Sequence, residues 1–111
     1  MQLTVLGLNH KSAPVEVRER FNLSEERIKE ILAELRDAED ISEAIILSTC
    51  NRTEFYIVID NPEKTIPYFK NLLEKISGKA YNPEYFYHLN GTYCVRHLVR
   101  VASSRDSLIM G

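Results

Sequence analysis

The 111-residue chain contains only four glycines, at positions 7, 78, 91 and 111, and none falls in a Gly-x-Gly-x-x-Gly spacing. Without that turn there is no backbone cradle for a dinucleotide pyrophosphate, so the chain is not expected to hold such a cofactor by itself. Cysteine is equally scarce. Cys50 and Cys94 are too few for a disulfide framework and form no Cys-x-x-Cys pair, which sets aside a stapled secreted fold and a zinc site. No apolar run approaches the roughly 18 residues of a membrane span, and Met1 is followed almost at once by the strand-like Leu3-Thr4-Val5-Leu6. A cytoplasmic protein without membrane contact is expected. Excess positive charge is missing too. Sixteen acidic against fourteen basic residues leave a formal charge of −2, unlike a module that binds nucleic acid by blanketing phosphates.

What is present reads as one domain with a single core and short connections. Leu3 to Leu8 is a first strand, ended by Asn9-His10-Lys11-Ser12-Ala13-Pro14 because Pro14 has no donor and restricts Ala13. A short helical turn follows over Val15 to Phe21. Ser24 then caps a long helix with Glu25 and Glu26 in its first turn and Ile28, Ile31, Leu32 and Leu35 along one face. Ala44 to Leu47 and Thr53 to Ile59 are β-forming and close enough in sequence to make a hairpin. Thr65 is expected to cap a second helix, with Pro67 in its first turn and Gly78 as its stop. Tyr85 to Leu89 reads as a fourth strand. The last helix, Gly91 to Ser103, carries Val95, Leu98, Val99 and Ala102 on one side. This order is that of an α+β, ferredoxin-like split βαβ fold, an antiparallel sheet with helices on one face, plus an additional C-terminal helix behind it. The apolar end Leu108-Ile109-Met110-Gly111 suggests a fragment of a longer protein.

Chemistry concentrates in Ser48-Thr49-Cys50-Asn51-Arg52-Thr53-Glu54, which places a thiol at a hairpin tip with a guanidinium two residues away. A nearby cation favours the reactive thiolate, and a guanidinium can grip a carboxylate with two parallel hydrogen bonds. The same residues also suit a plainer role, with Cys50 a small strand-end residue and Arg52 an exposed turn charge. Spacing alone leaves both open.

Three stretches in register narrow the choice: Gly7-Leu8-Asn9-His10-Lys11-Ser12-Ala13-Pro14-Val15-Glu16-Val17-Arg18-Glu19, then Leu47 to Glu54, then Val95-Arg96-His97-Leu98-Val99-Arg100-Val101-Ala102-Ser103. In that order and spacing they resemble the N-terminal catalytic domain of glutamyl-tRNA reductase, across the whole chain. The resemblance implies NADPH-dependent reduction of glutamyl-tRNA(Glu) to glutamate-1-semialdehyde, the first step of five-carbon tetrapyrrole synthesis, through a cysteine thioester. It places the nucleophile on Cys50 and substrate recognition on Thr49 and Arg52, with Arg52 facing a glutamate carboxylate. It sets His97 near the reacting carbonyl, where a histidine can polarise the ester or pass a proton to the departing ribose hydroxyl. Ser107 matches a serine in the family segment after this helix, although Ser104-Arg105 stands where the family has Gly-Leu. Asn9 and His10 either line the same pocket or only order a turn. Cys94 reads as a core filler, and His88 as a strand residue with no nearby partner.

The resemblance further implies that residues 1–111 lack the NADPH-binding and dimerisation domains, that the full-length protein is a homodimer, and that an aminomutase acting on glutamate-1-semialdehyde follows it. No cofactor or metal is expected on these residues. The competing reading is a ferredoxin-like small-ligand regulatory module in which Cys50 is incidental. A nucleic-acid-binding sheet using Phe55, Tyr56, Tyr85 and Tyr87 is disfavoured by the charge, and those aromatics read as core and edge residues.

Overall fold

The computed structural model describes residues 1–103 and 109–110. Its elements are β1 (Gln2–Asn9), α1 (Val15–Arg20), α2 (Glu25–Arg36), β2 (Ile41–Ser48), β3 (Arg52–Ile59), α3 (Pro62–Ser77), a 3-10 turn (Pro83–Tyr85), β4 (Tyr87–Asn90), α4 (Gly91–Ala102) and β5 (Ile109–Met110). The sheet runs β4-β1-β3-β2-β5, with all four pairings antiparallel. The first four of those strands give the ferredoxin-like order, and β5 extends the sheet beside β2, a pairing the apolar terminal run did not announce.

Period-two alternation along the strands splits the apolar side chains between two faces. Leu6, Leu8, Ile46, Phe55, Ile57 and Ile59 point to one face and pack with Ile28, Ile31, Leu32 and Leu35 of α2 and Phe69, Leu72 and Leu73 of α3. Phe55 and Phe69 meet edge to face with ring centroids 5.2 Å apart. Each fully buried side chain of this size contributes about 1.5–3 kcal/mol, so this face holds the domain together. On the other face Val5, Tyr56 and Cys94 form a smaller cluster beneath α4, with Leu3, Ile45, Leu89 and Leu98 packed around it.

Local signals explain most boundaries. The Ser24 side chain accepts from the Arg27 N–H at 3.1 Å, and Gly78 ends α3 in a left-handed conformation with its N–H on the Glu74 carbonyl at 2.8 Å. The start of α3 differs from expectation. Asn61 occupies the N-cap and Pro62 the first turn, while Thr65 lies inside the helix with its hydroxyl on the Asn61 carbonyl at 2.8 Å, and Pro67 is interior. Pro62 fits there because a first-turn N–H has no partner to lose. β4 begins two residues later than expected, because the Asn82 side chain accepts from the Glu84 N–H at 3.0 Å and winds Pro83–Tyr85 into a 3-10 turn.

The last helix is turned relative to its apolar pattern. Cys94 and Val101 are buried against the sheet with Leu98 half-buried, whereas Val95 and Val99 are 47% and 61% exposed. His88 also has a partner after all, its Nε2 lying 2.7 Å from the Thr4 hydroxyl, and burial lowers its affinity for a proton. Thr4 sits diagonally across the β1–β4 ladder, a neighbour that linear sequence does not display.

Gly7 pairs with Glu54 on one side and Tyr87 on the other, and the two side chains meet above it. A Cβ at position 7 would stand 2.8 Å from the Glu54 Cγ and 2.9 Å from the Thr53 carbonyl oxygen. Gly7→Ala is therefore expected to cost about 1–3 kcal/mol in urea unfolding. An unchanged midpoint would show that the Glu54 side chain can move aside.

Candidate active site

The β2–β3 hairpin is fastened at its base. The Thr53 hydroxyl donates to the Phe21 carbonyl at 2.6 Å, the Ser48 hydroxyl lies 3.2 Å from it, and Ser48 Oγ accepts from the Leu23 N–H at 3.1 Å. Beyond this base, the Thr49 N–H donates to the Arg52 carbonyl at 2.7 Å, and Thr49 Oγ1 accepts from the Asn51 and Arg52 N–H groups, each at 3.2 Å. Thr49 thus spends its side chain on ordering the turn. That turn leaves Cys50 exposed, and Arg18 of α1 donates to the Cys50 carbonyl at 3.0 Å. Cys50 lines a cavity of about 200 Å³ with Val15, Arg18, Glu19 and Asn22.

Arg52, Glu54 and Tyr56 alternate along β3 onto the face covered by α4. The Glu54 side chain is wholly buried. Its Oε1 accepts from the Tyr56 hydroxyl at 2.9 Å, and its Oε2 accepts from the Tyr87 hydroxyl and from His97 Nε2. The Arg52 guanidinium stands 3.7 Å from the same oxygen. A carboxylate taken out of water is tolerated only when surrounded by donors in this way. Burial, and then the adjoining Glu54, push the Tyr56 and Tyr87 phenols far above their ordinary range, so both remain donors. An ionised carboxylate can only accept, so Nε2 of His97 carries its hydrogen toward Glu54 and Nδ1 is left for other work.

Arg52 and His97 also share a cavity of about 350 Å³ with Asn9, His10, Lys11, Arg100 and Val101. Asn9 both lines this cavity and orders the turn, since its Oδ1 accepts from the Lys11 and Ser12 N–H groups at 2.9 and 3.0 Å. The two roles considered for Asn9 are therefore compatible.

The structure thus brings Arg52 and His97 together through Glu54, puts Cys50 on a different cavity, and uses Thr49 within the turn. Ser107 lies outside the described residues. Arg52 is paired with Glu54, and the cation bonded to the Cys50 loop is Arg18. Sequence reasoning missed Glu54 as the centre of the site and grouped Tyr87 with the core and edge aromatics without foreseeing that its hydroxyl serves Glu54. The one sequence signal was an acid at an alternating strand position among apolar residues, where burial demands partners. Among the described residues no three His, Cys, Asp or Glu side chains stand together as metal ligands, and no helix is long and apolar enough to cross a membrane.

Residues 6–111 match the family model described as glutamyl-tRNAGlu reductase, N-terminal domain. The glutamyl-tRNA reductase of Chlorobaculum parvum is 44% identical over 115 residues, covering 100% of this chain and 26% of that protein. That of Stenotrophomonas maltophilia is 42% identical, with 100% and 25% covered. The solved glutamyl-tRNA reductase from Methanopyrus kandleri superposes with a TM-score of 0.62 at 27% identity, over 91% of this chain and 22% of that one. The chain spans about a quarter of the length of the relatives it matches.

Two expectations follow from the geometry. Glu54→Gln keeps the shape but turns one accepting oxygen into a donor among donors, and is expected to lose about 1–3 kcal/mol in urea unfolding. An unchanged stability would mean that the cluster rearranges freely. Burial, reinforced by Glu54, pushes the Cys94 thiol up to about 11, so near pH 8 a substoichiometric alkylating reagent is expected to modify exposed Cys50 and spare Cys94. Comparable labelling of both thiols in the folded chain would contradict that assignment.

Proposed function

Because the chain belongs to the family of glutamyl-tRNA reductase N-terminal domains, we propose that it performs the acyl-transfer half of that enzyme's reaction, with Cys50 as nucleophile. The observation that carries the proposal is the hairpin Ser48 to Glu54. It holds a thiol exposed at its tip and, through Glu54, joins Arg52 to His97 on one cavity.

In this reading the Cys50 thiolate attacks the carbonyl carbon of glutamyl-tRNA. A carbon–sulfur bond forms as the ester bond to the terminal ribose breaks, and the ribose oxygen leaves with a proton. Because Cys50 lines one cavity and Arg52 and His97 another, the glutamyl group in this reading bridges the two, and Arg52 holds its side-chain carboxylate with N–H groups not directed at Glu54. His97, anchored by Nε2, polarises the ester or delivers that proton through Nδ1. The product on the protein is a thioester, more electrophilic than the ester it replaces.

The glycines here do not fit a nicotinamide dinucleotide. Gly7 is in a strand under Glu54, Gly78 ends α3, and Gly91 opens α4 without the glycine-rich spacing that lets a backbone approach a pyrophosphate. Hydride transfer from NADPH is accordingly assigned to a separate domain of a longer protein. In the same proposal that protein is a cytoplasmic homodimer, whose reduced product feeds an aminomutase in tetrapyrrole synthesis. Ser107 is retained as a candidate contact to the substrate.

These 111 residues, given radiolabelled glutamyl-tRNA, are expected to release glutamate slowly and to trap a labelled adduct on Cys50, with or without NADPH. Both signals should vanish in Cys50→Ser and persist in Cys94→Ser, and His97→Asn should slow transfer by about 10²–10⁴-fold. Semialdehyde formation by the chain alone would overturn the division of labour. Absence of any Cys50-dependent adduct would favour the regulatory-module reading.

A further inference from the structure

The cavity shared by Arg52 and His97 is more basic than one glutamyl carboxylate needs. Lys11, Arg52 and Arg100 line it beside His10 and His97, and among the described residues no acidic one does, although the chain as a whole carries a formal charge of −2. Its cations differ in how they are used. Arg52 and His97 are turned to the buried Glu54, which offsets the Arg52 charge. Lys11 and Arg100 are exposed and form no salt bridge among the described residues. Neither is loosely placed along the chain. Asn9 pins the Lys11 N–H at 2.9 Å, and Arg100 lies in the last turn of α4, the helix that delivers His97.

We infer that Lys11 and Arg100 form a phosphodiester-binding subsite that holds the terminal nucleotide of the acylated tRNA while Arg52 and His97 attend to its glutamyl group. The inference rests on the substrate proposed above and extends it to a part of the molecule that does not react. The connecting chemistry is short. The nucleotide that bears the ester carries its own 5′ phosphodiester one ribose ring away, so a substrate whose acyl end sits by Arg52 and His97 brings that phosphate to the rim of the same cavity. Exposed cations there, with no salt bridge among the described residues, neutralise a phosphate without first giving up such a partner, and release of counterions from the RNA favours binding. A local pair of cations also answers the objection raised by the overall charge. It holds one end of an RNA without covering a duplex.

The test is to measure binding of uncharged tRNA to the 111-residue chain by fluorescence anisotropy between about 50 and about 200 mM salt, comparing it with Lys11→Gln/Arg100→Gln. Uncharged tRNA removes acyl chemistry from the measurement. The double variant is expected to bind at least about tenfold more weakly at the low-salt end, with a slope of log K against log salt shallower by about 0.7, as for one single-strand phosphate no longer neutralised. Lys29→Gln/Arg36→Gln, exposed on the opposite side of the sheet, removes the same charge and is expected to change neither. Equal affinity and slope in the Lys11/Arg100 variant would overturn the subsite, as would the same loss in the Lys29/Arg36 variant or no tRNA binding by the unsubstituted chain. Inorganic phosphate alone, titrated in parallel, separates the sources. Saturation by phosphate that depends on Lys11 and Arg100, with tRNA binding unmoved, would assign the site to free phosphate and overturn the proposal. A normal salt response without any labelled Cys50 adduct would instead locate the failure in the acyl-transfer reading.

Discussion

A carboxylate with no access to water draws its surroundings to it, and Glu54 draws donors from three separate elements. Arg52 and Tyr56 come from its own strand, Tyr87 from β4 and His97 from α4. Removing any one of them leaves a buried charge less well compensated, so the four are bound to one another through it. The constraint reaches β1 as well, where Gly7 gives up a side chain so that Glu54 and Tyr87 can close over it. The seat of α4 follows from the same centre. That helix turns His97 inward beside the apolar stripe Cys94, Leu98 and Val101 and leaves Val95 and Val99 outside.

The two faces of the sheet divide the labour. The face under α2 and α3 carries the larger core and supplies most of the hydrophobic stabilisation, with no buried charged side chain in it among the described residues. The face under α4 carries a small apolar cluster and the buried polar network. A site built on strands that the opposite face has already fixed can hold its side chains in one arrangement, which reaction geometry requires. The Cys50 loop belongs to neither face. It is tied down by the Ser48 and Thr53 hydroxyls and by Arg18, so the thiol is exposed while the backbone that carries it is held.

The sequence alone determined whatever depends on neighbours along the chain. The alternation of β3, the stripe of α2, the Ser24 cap, the Gly78 stop and the ferredoxin-like order are local or periodic, and periodicity survives in one dimension. Cys50, Arg52 and His97 could be picked out as candidates as well, because they sit inside long motifs. Only the tertiary structure decided which groups meet. The partner of His97 is 43 residues away and that of Tyr87 is 33 away, and both pairings exist because antiparallel register and a helix crossing place them on one oxygen. The same three-dimensional bookkeeping set the face α4 buries, the pairing of His88 with Thr4 and the separation of Cys50 from the Arg52 cavity. A residue's polarity states that it must be satisfied if buried, whereas burial and the identity of the satisfying group belong to the folded chain.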